Sequence, residues 1–194
     1  MLYQPHQRLT LRPQPRRFQF DSFFKEWIRP LLIILAVGIT LNLFFPRYYV
    51  KGHSMDPSLN ENDWLVTSSL DALDGMIERG SIVTATNPKD GVQVIKRVIG
   101  LPGELIEIRR GTVYINGELL VEDYINEEPR YNKQWLLEDD QYILLGDNRN
   151  RSLDSADYGP VQAHYIHSVV KARLWPLNSA GIFALPDYNL SQLP

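Results

Sequence analysis

Hydrophobic positions fall into two regimes along the chain. Residues 30–46, PLLIILAVGITLNLFFP, carry no charge, and Thr40 and Asn42 are their only polar side chains. Beyond residue 60 the pattern becomes short, β-rich and often alternating: WLVTS (64–68), SIVTA (81–85), VQVIKRVIG (92–100), QYILL (141–145) and VVKARLWP (169–176). The strongest local signal is ELIEIRRGTVYINGELL (104–120), where Ile106 and Ile108 alternate with polar residues. Arg110-Gly111 turns that chain back, and Asn116-Gly117 supplies the residue pair a tight type I′ hairpin demands. No stretch past residue 60 holds a helical period for more than about two turns. The pattern therefore predicts a mainly β fold over residues 47–194, antiparallel and sheet- or barrel-like, with its strands between residues 48 and 180.

Seventeen helical residues reach about 25 Å at 1.5 Å each, slightly short of a hydrocarbon core of roughly 30 Å. Trp27 and the Tyr48–Tyr49 pair can sit in the interfaces, and Arg29 and Arg47 can extend outward, so the segment can span. A helix buried in a soluble core would show a polar stripe. A cleaved leader would end in small residues, whereas this run is followed by Phe44-Phe45-Pro46-Arg47. An uncleaved signal-anchor is the reading that remains. Residues 1–29 hold six basic and two acidic side chains, a net +4, so that arm belongs on the cytoplasmic side and the β domain on the other. Gln and Pro dominate residues 4–15, so the arm is expected to be disordered. Arg47 and Lys51 weaken the charge asymmetry without reversing it. A plasma (inner) membrane and a thylakoid membrane would give the same pattern.

The 194 residues suffice for one domain with a real core, and the net charge of −3 gives no reason to expect a nucleic-acid partner. With no cysteine, disulfides and thiolate metal sites are excluded.

Candidate chemistry starts at VKGHSMDPSL (50–59), where Ser54 follows the apolar segment closely. A serine hydroxyl needs a base to become a nucleophile. His53 is adjacent, and neighbours in an extended chain point to opposite sides. His164 and His167 stand three apart without a third ligand, a weak metal signal, and His6 lies in the arm. The other base is Lys96 in VQVIKRVIG. On a strand Val94, Lys96 and Val98 share one face, while Ile95, Arg97 and Ile99 share the other. If the first face is buried, the amine is desolvated and driven toward neutrality. If the second is buried, Lys96 is solvated and Arg97 points inward. The residues alone leave both open.

Three stretches in order, GHSMDPSL, VIKRVIGLPGELIEIRRGTVYINGELL and GDNRNRSLDSADYGPV, resemble the boxes of the type I signal peptidases over residues 49–176, with the N-terminal anchor in the family's place. The resemblance implies an all-β serine endopeptidase that removes signal peptides from exported preproteins, cleaving after small residues at −1 and −3, with no metal or organic cofactor. It implies Ser54 as nucleophile, Lys96 as general base and Ser152 as support for the lysine amine. Asp147 and Asp154 fall on structural carboxylates, with Arg97 a natural partner for Asp147. Met55 and Pro57 fall on the substrate side, and the substrate is expected to add as a strand to an open sheet edge. Its partners would be signal peptides and membrane lipid; contact with the secretion machinery is not inferable. Three departures stand out. Gly52 replaces a serine whose hydroxyl assists the oxyanion in many members, Ser58 stands where Thr is usual, and Ala156 replaces an Arg that commonly pairs with the carboxylate at 154. A backbone group, Arg149 or Arg151 is then left to hold Asp154. Two rivals remain: a self-cleaving repressor of the same Ser-Lys type, which would need a DNA-binding module in place of the anchor, and a tethered β domain without catalysis.

Overall fold

The computed structural model describes residues 20–188. The chain divides into two units, residues 1–39 and 40–194. Helix α1 (Phe20–Phe44) starts ahead of the apolar run and contains Pro30. It therefore takes in the last part of the stretch expected as an arm, whose remainder lies outside the described residues. Its portion Glu26–Phe44 spans 19 residues with none of them buried, about 28 Å of helix. That is long and apolar enough to cross a membrane. An interior proline is tolerated there, because neighbouring groups can re-satisfy the carbonyl it frees.

The second unit holds two antiparallel sheets. Strands β1 (Arg47–Tyr49), β2 (Trp64–Ser68), β3 (Ile82–Thr86) and β4 (Gln93–Gly100) belong to the first. Strands β5 (Leu105–Arg109), β6 (Thr112–Ile115), β7 (Glu118–Leu120) and β8 (Lys133–Leu136) form the second, in the order β7-β6-β5-β8. Strands β9 (Gln141–Leu145), β10 (Val161–Gln162), β11 (Ile166–Trp175) and β12 (Gly181–Ile182) complete the first, which runs β1-β2-β11-β3-β4-β9-β10 with β12 on β11. Both sheets are open-ended among the described residues, so the barrel-like element of the expectation takes the form of two sheets with free edges.

The hairpin turns follow the sequence signals. Arg110 and Gly111 have φ of 51° and 80°, and Asn116 and Gly117 have 51° and 88°, the paired positive φ of a I′ turn. The last long strand starts at Ile166, three residues ahead of its alternation, because Ser168 is buried against Thr84 of β3 through a 2.7 Å hydroxyl pair. Strands β1, β8, β10 and β12, and helices α2 (Ser69–Leu73) and α3 (Ser155–Tyr158), gave no sequence signal. Elements of two to five residues offer too few positions for a period to register.

Strand β4 organises the core. From Lys96 to Gly100 every residue is buried, so neither one-sided reading of this strand describes it. Val98 packs with Val83, Leu144 and Val169, while Ile99 packs with Ile106, Ile115 and Leu145, tying the two sheets together. Ile95 joins a third cluster with Met55, Leu59 and Leu65. A strand covered on both faces reads as a continuous run rather than an alternation.

Gly100 closes β4 at the junction between the sheets, where a Cβ would come within 2.7 Å of Ile106 Cγ1 and 2.9 Å of Leu137 Cδ1. Gly100→Ala should lower stability by about 1–3 kcal/mol through overpacking. Gly181→Ala, which meets open space, should stay within about 0.5 kcal/mol. Urea unfolding of the full chain in detergent tests the pair, and equal midpoints would refute this account of the junction.

Candidate active site

The loop after β1 is pinned at its base. Asp63 O accepts the Val50 N–H at 2.9 Å and Val50 O accepts the Asn62 N–H at 3.0 Å. Inside it, Leu59 N–H donates to Met55 O at 2.9 Å, and both side chains are buried. Gly52 enters the turn at φ +82°, a backbone region that costs any residue with a Cβ. A serine there would be strained. A second loop grips the turn from outside: Asn148 N–H donates to Ser54 O at 3.1 Å and Asn148 Nδ2 to His53 O at 3.0 Å. His53 points away from the serine, its Nδ1 lying 3.2 Å from Asp56 Oδ2.

Ser54 Oγ meets the base candidate from β4. Lys96 Nζ donates to Ser54 Oγ at 2.7 Å. Lys96 is 3% exposed, and burial lowers its pKa to about 8 against the opposing pull of Asp154 and Asp147. Desolvation penalises the charged amine, and here no carboxylate lies within ion-pair distance of it among the described residues.

The carboxylates are engaged elsewhere. Arg97 projects from β4 on the side opposite Lys96 and binds Asp147 through Nε at 2.8 Å and Nη2 at 2.6 Å. Its Nη1 donates to Gly80 O at 2.8 Å, its Nη2 to Ser58 Oγ at 3.2 Å, and its Cζ lies 4.0 Å from the Tyr124 ring centroid. Asp154 accepts N–H groups from Gly146 at 2.9 Å and Ala156 at 3.0 Å, and forms a reciprocal cap with Asp157 at the start of α3. Burial pushes its carboxyl up, and the backbone donors oppose that. Among the described residues no arginine reaches Asp154, so of the alternatives for the missing Arg at 156 the backbone is the one found. Arg149 instead donates through Nη1 to Glu122 at 2.7 Å and through Nε to Gly146 O at 3.1 Å, while Arg151 is exposed.

Ser152 Oγ is buried at the contact with Gly146 and lies beside the Asp154 carboxylate, which its hydroxyl helps keep ionised. Pro57 is exposed, because the chain has already reversed in the turn after Ser54. Met55 does line a groove of about 580 Å³, together with residues 48–51, Ser54 and residues 92–96, although its side chain is 1% exposed. Pro57 is not among the lining residues. The groove lies between two free backbone edges. One is the outer edge of β1. The other is the part of β4 before Arg97, where β9 pairing has not begun.

Sequence reasoning missed Gly146, Asn148, Glu122 and the role of Arg149. At Gly146 a Cβ would come within 2.2 Å of Ser152 Oγ and 2.4 Å of Ser54 O, so only glycine lets the two loops touch. Its position directly before Asp147 was the available signal. His167 Nε2 bonds Thr86 Oγ1 at 2.7 Å and His164 stacks on Tyr165.

The family model described as signal peptidase, peptidase S26, matches residues 24–175. A probable signal peptidase I-2 of Synechocystis is 38% identical over 158 residues, 77% of this chain and 72% of that one. A signal peptidase I of Leptolyngbya laminosa is 37% identical over 179 residues, 86% of this chain and 87% of that one. A signal peptidase I of Enterococcus faecalis V583, solved as a crystal structure, is 35% identical and superposes with a TM-score of 0.45, covering 47% of this chain and 94% of that one. The length of the family match and the identity to relatives covered over most of their own length make this chain a serine peptidase of the signal peptidase family, S26.

Proposed function

We propose that this chain is a membrane-anchored endopeptidase that removes N-terminal signal peptides from exported preproteins, with Ser54 as nucleophile and Lys96 as general base. The observation that carries this reading is the 2.7 Å bond between the buried Lys96 amine and the Ser54 hydroxyl. Charged, that amine would be a donor with no use for a proton. Neutral, its lone pair takes the hydroxyl proton as Ser54 Oγ attacks the scissile carbonyl carbon. The proton then passes to the leaving amine, and an ester remains on Ser54. Lys96 next deprotonates a water that attacks the ester carbonyl, releasing the new carboxylate and restoring the serine. The Ser54 N–H has no acceptor within reach among the described residues and suits the oxyanion; Gly52 adds no side-chain donor.

The groove supports a substrate read as an extended strand. Free edges on β1 and on β4 flank it, so backbone bonds would supply affinity and alternate side chains specificity. Met55, Val94 and Ile95 give it apolar walls close to the nucleophile, consistent with small side chains at −1 and −3. Glu26–Phe44 of α1 supports anchoring. So do Tyr49, Trp64 and Trp175, about half exposed on the neighbouring strands β1, β2 and β11, since such side chains favour bilayer interfaces. A membrane-spanning segment in place of a DNA-binding module disfavours the repressor reading.

Ser54→Ala and Lys96→Ala should each reduce cleavage of a signal-peptide-bearing preprotein by about 10³-fold or more with unchanged circular dichroism. Wild-type turnover in either variant would refute the pairing.

The pH dependence follows from Lys96. In the free enzyme kcat/KM should rise with pH along one ionisation near 8, the value to which burial lowers the amine. Between that value and the ordinary 10.5, the unfolded chain binds more protons than the folded one. Stability from this site therefore increases as pH rises through the window, and the penalty is present in full below it. Lys96→Met removes that penalty, on the order of 3 kcal/mol. The variant should be inactive and no less stable at pH 7 by denaturant titration. A large loss of stability would mark Lys96 as a structural cation.

Single-span topology with residues 1–29 inside is tested by adding protease to the trans side of sealed vesicles. A C-terminal tag should be digested, and its protection would invert the orientation.

A further inference from the structure

The segment after β12, residues 183–188, has no regular secondary structure yet is fixed at both ends. Phe183 N–H donates to Lys171 O at 2.9 Å, and Tyr188 Oη donates to Tyr124 Oη at 3.0 Å. Between these points the segment roofs a cavity of about 510 Å³ that also touches Ser58, Gly80 and Arg97. Pro186 and Tyr188 press on Gly80 so closely that a Cβ there would lie 2.6 Å from Pro186 Cδ and 2.8 Å from Tyr188 Cε2. Gly80 in turn offers its carbonyl to Arg97.

The Tyr188 bond opens a directed chain of contacts. Tyr124 accepts from Tyr188 and donates its own proton to Glu122 Oε1 at 2.6 Å. Burial, aided by the Glu122 carboxylate, pushes the Tyr124 phenol up, so it remains a donor at any working pH. Glu122 binds the buried Arg149 guanidinium, whose Nε donates to Gly146 O at 3.1 Å. Gly146 packs directly on Ser54 O and on Ser152. Every link up to Gly146 is a hydrogen bond, those at Glu122 and Arg149 charge-assisted and so tightly held, and the last link is the packing of Gly146 against Ser54 O.

We infer that the C-terminal segment 183–188 is a positioning strap for the nucleophile, with Tyr188 and Tyr124 acting through Glu122 and Arg149 on Gly146. None of these groups touches the reacting atoms, so their effect falls on the placement of Ser54 rather than on substrate binding. A nucleophile displaced by a fraction of an ångström loses turnover while the groove stays intact. The inference rests on Ser54 being the nucleophile. Failure of that reading shows in Ser54→Ala alone, and failure of the strap shows in variants that keep Ser54.

Tyr188→Phe, Tyr124→Phe and the double variant should be made in the full chain and assayed on a signal-peptide-bearing preprotein in detergent micelles. Tyr188→Phe removes one hydroxyl and should lower kcat about fivefold with KM unchanged. Tyr124→Phe breaks the next link and should lower kcat at least as much. Because both act on one path, the double variant should match Tyr124→Phe rather than multiply the two losses. A chain ending after Ile182 should lose at least as much kcat as the double variant. Thermal unfolding of the Tyr188→Phe variant should stay within a few degrees of the parent. The strap is overturned if Tyr188→Phe retains parental kcat, if its loss lies in KM, or if the two losses multiply.

Discussion

A buried amine that finds no counter-ion is the constraint on which the site depends. Strand β4 carries two adjacent cations into a fully covered position, and the fold treats them in opposite ways. Arg97 receives Asp147 in a two-point pair with good geometry, which keeps a buried charge tolerable. Lys96 receives a hydroxyl. Had either nearby carboxylate turned toward Lys96, the amine would have stayed charged and useless as a base. Asp147 is taken by Arg97, and Asp154 is taken by two backbone N–H groups at the start of α3. Their remaining pull on Lys96 is weaker than the cost of burial, so the amine drops to about 8. The ion pair and the helix cap are thus part of the proposed catalytic arrangement even though neither touches Ser54.

Holding Lys96 in this state costs a few kcal/mol at neutral pH, a large share of a typical folding free energy of about 5–15 kcal/mol. The surrounding architecture offsets it. Three apolar clusters meet on β4, through Val98, Ile99 and Ile95. The strand that bears the penalty is buried without a break from Lys96 to Gly100. Packing density also fixes the lysine stem, so its short bond to Ser54 needs little further ordering on binding substrate.

Much of this was legible in the sequence, for reasons specific to particular residues. Hairpin turns at Arg110-Gly111 and Asn116-Gly117 were readable because positive φ restricts residue choice. The apolar run at 30–46 was readable because uncharged residues persist over a helix-length stretch, and it falls within α1. What β4 did with its two faces was not readable: alternation presumes one wet face, and a strand buried on both sides breaks the rule at Lys96–Arg97. Ser152 was assigned to the lysine by resemblance alone, and its neighbours Gly146 and Asp154 lie outside any pattern of adjacent residues. Glu122 and Tyr124 fell outside any motif, because their partners Arg149 and Tyr188 lie 27 and 64 residues away and sequence patterns record neighbours rather than closures.

That distance has a consequence for how the site comes into being. Ser54 sits in the loop after β1, Lys96 on β4, and the Gly146–Asp154 stretch follows β9, so no two parts of the centre are neighbours in sequence. Strand order β1-β2-β11-β3-β4-β9-β10 separates β1 from β4 by three strands, and one of them, β11, comes from near the end of the chain. The groove between the β1 and β4 edges therefore exists only after β11 has paired with both β2 and β3. Lys96 is desolvated only after β9 has covered β4 and the loop beyond it has closed on Ser54. Until then the amine keeps its ordinary pKa of 10.5 and offers far less neutral base at a given pH. The proposed nucleophile, base and binding edge thus become competent together, in the same long-range closure that completes the fold.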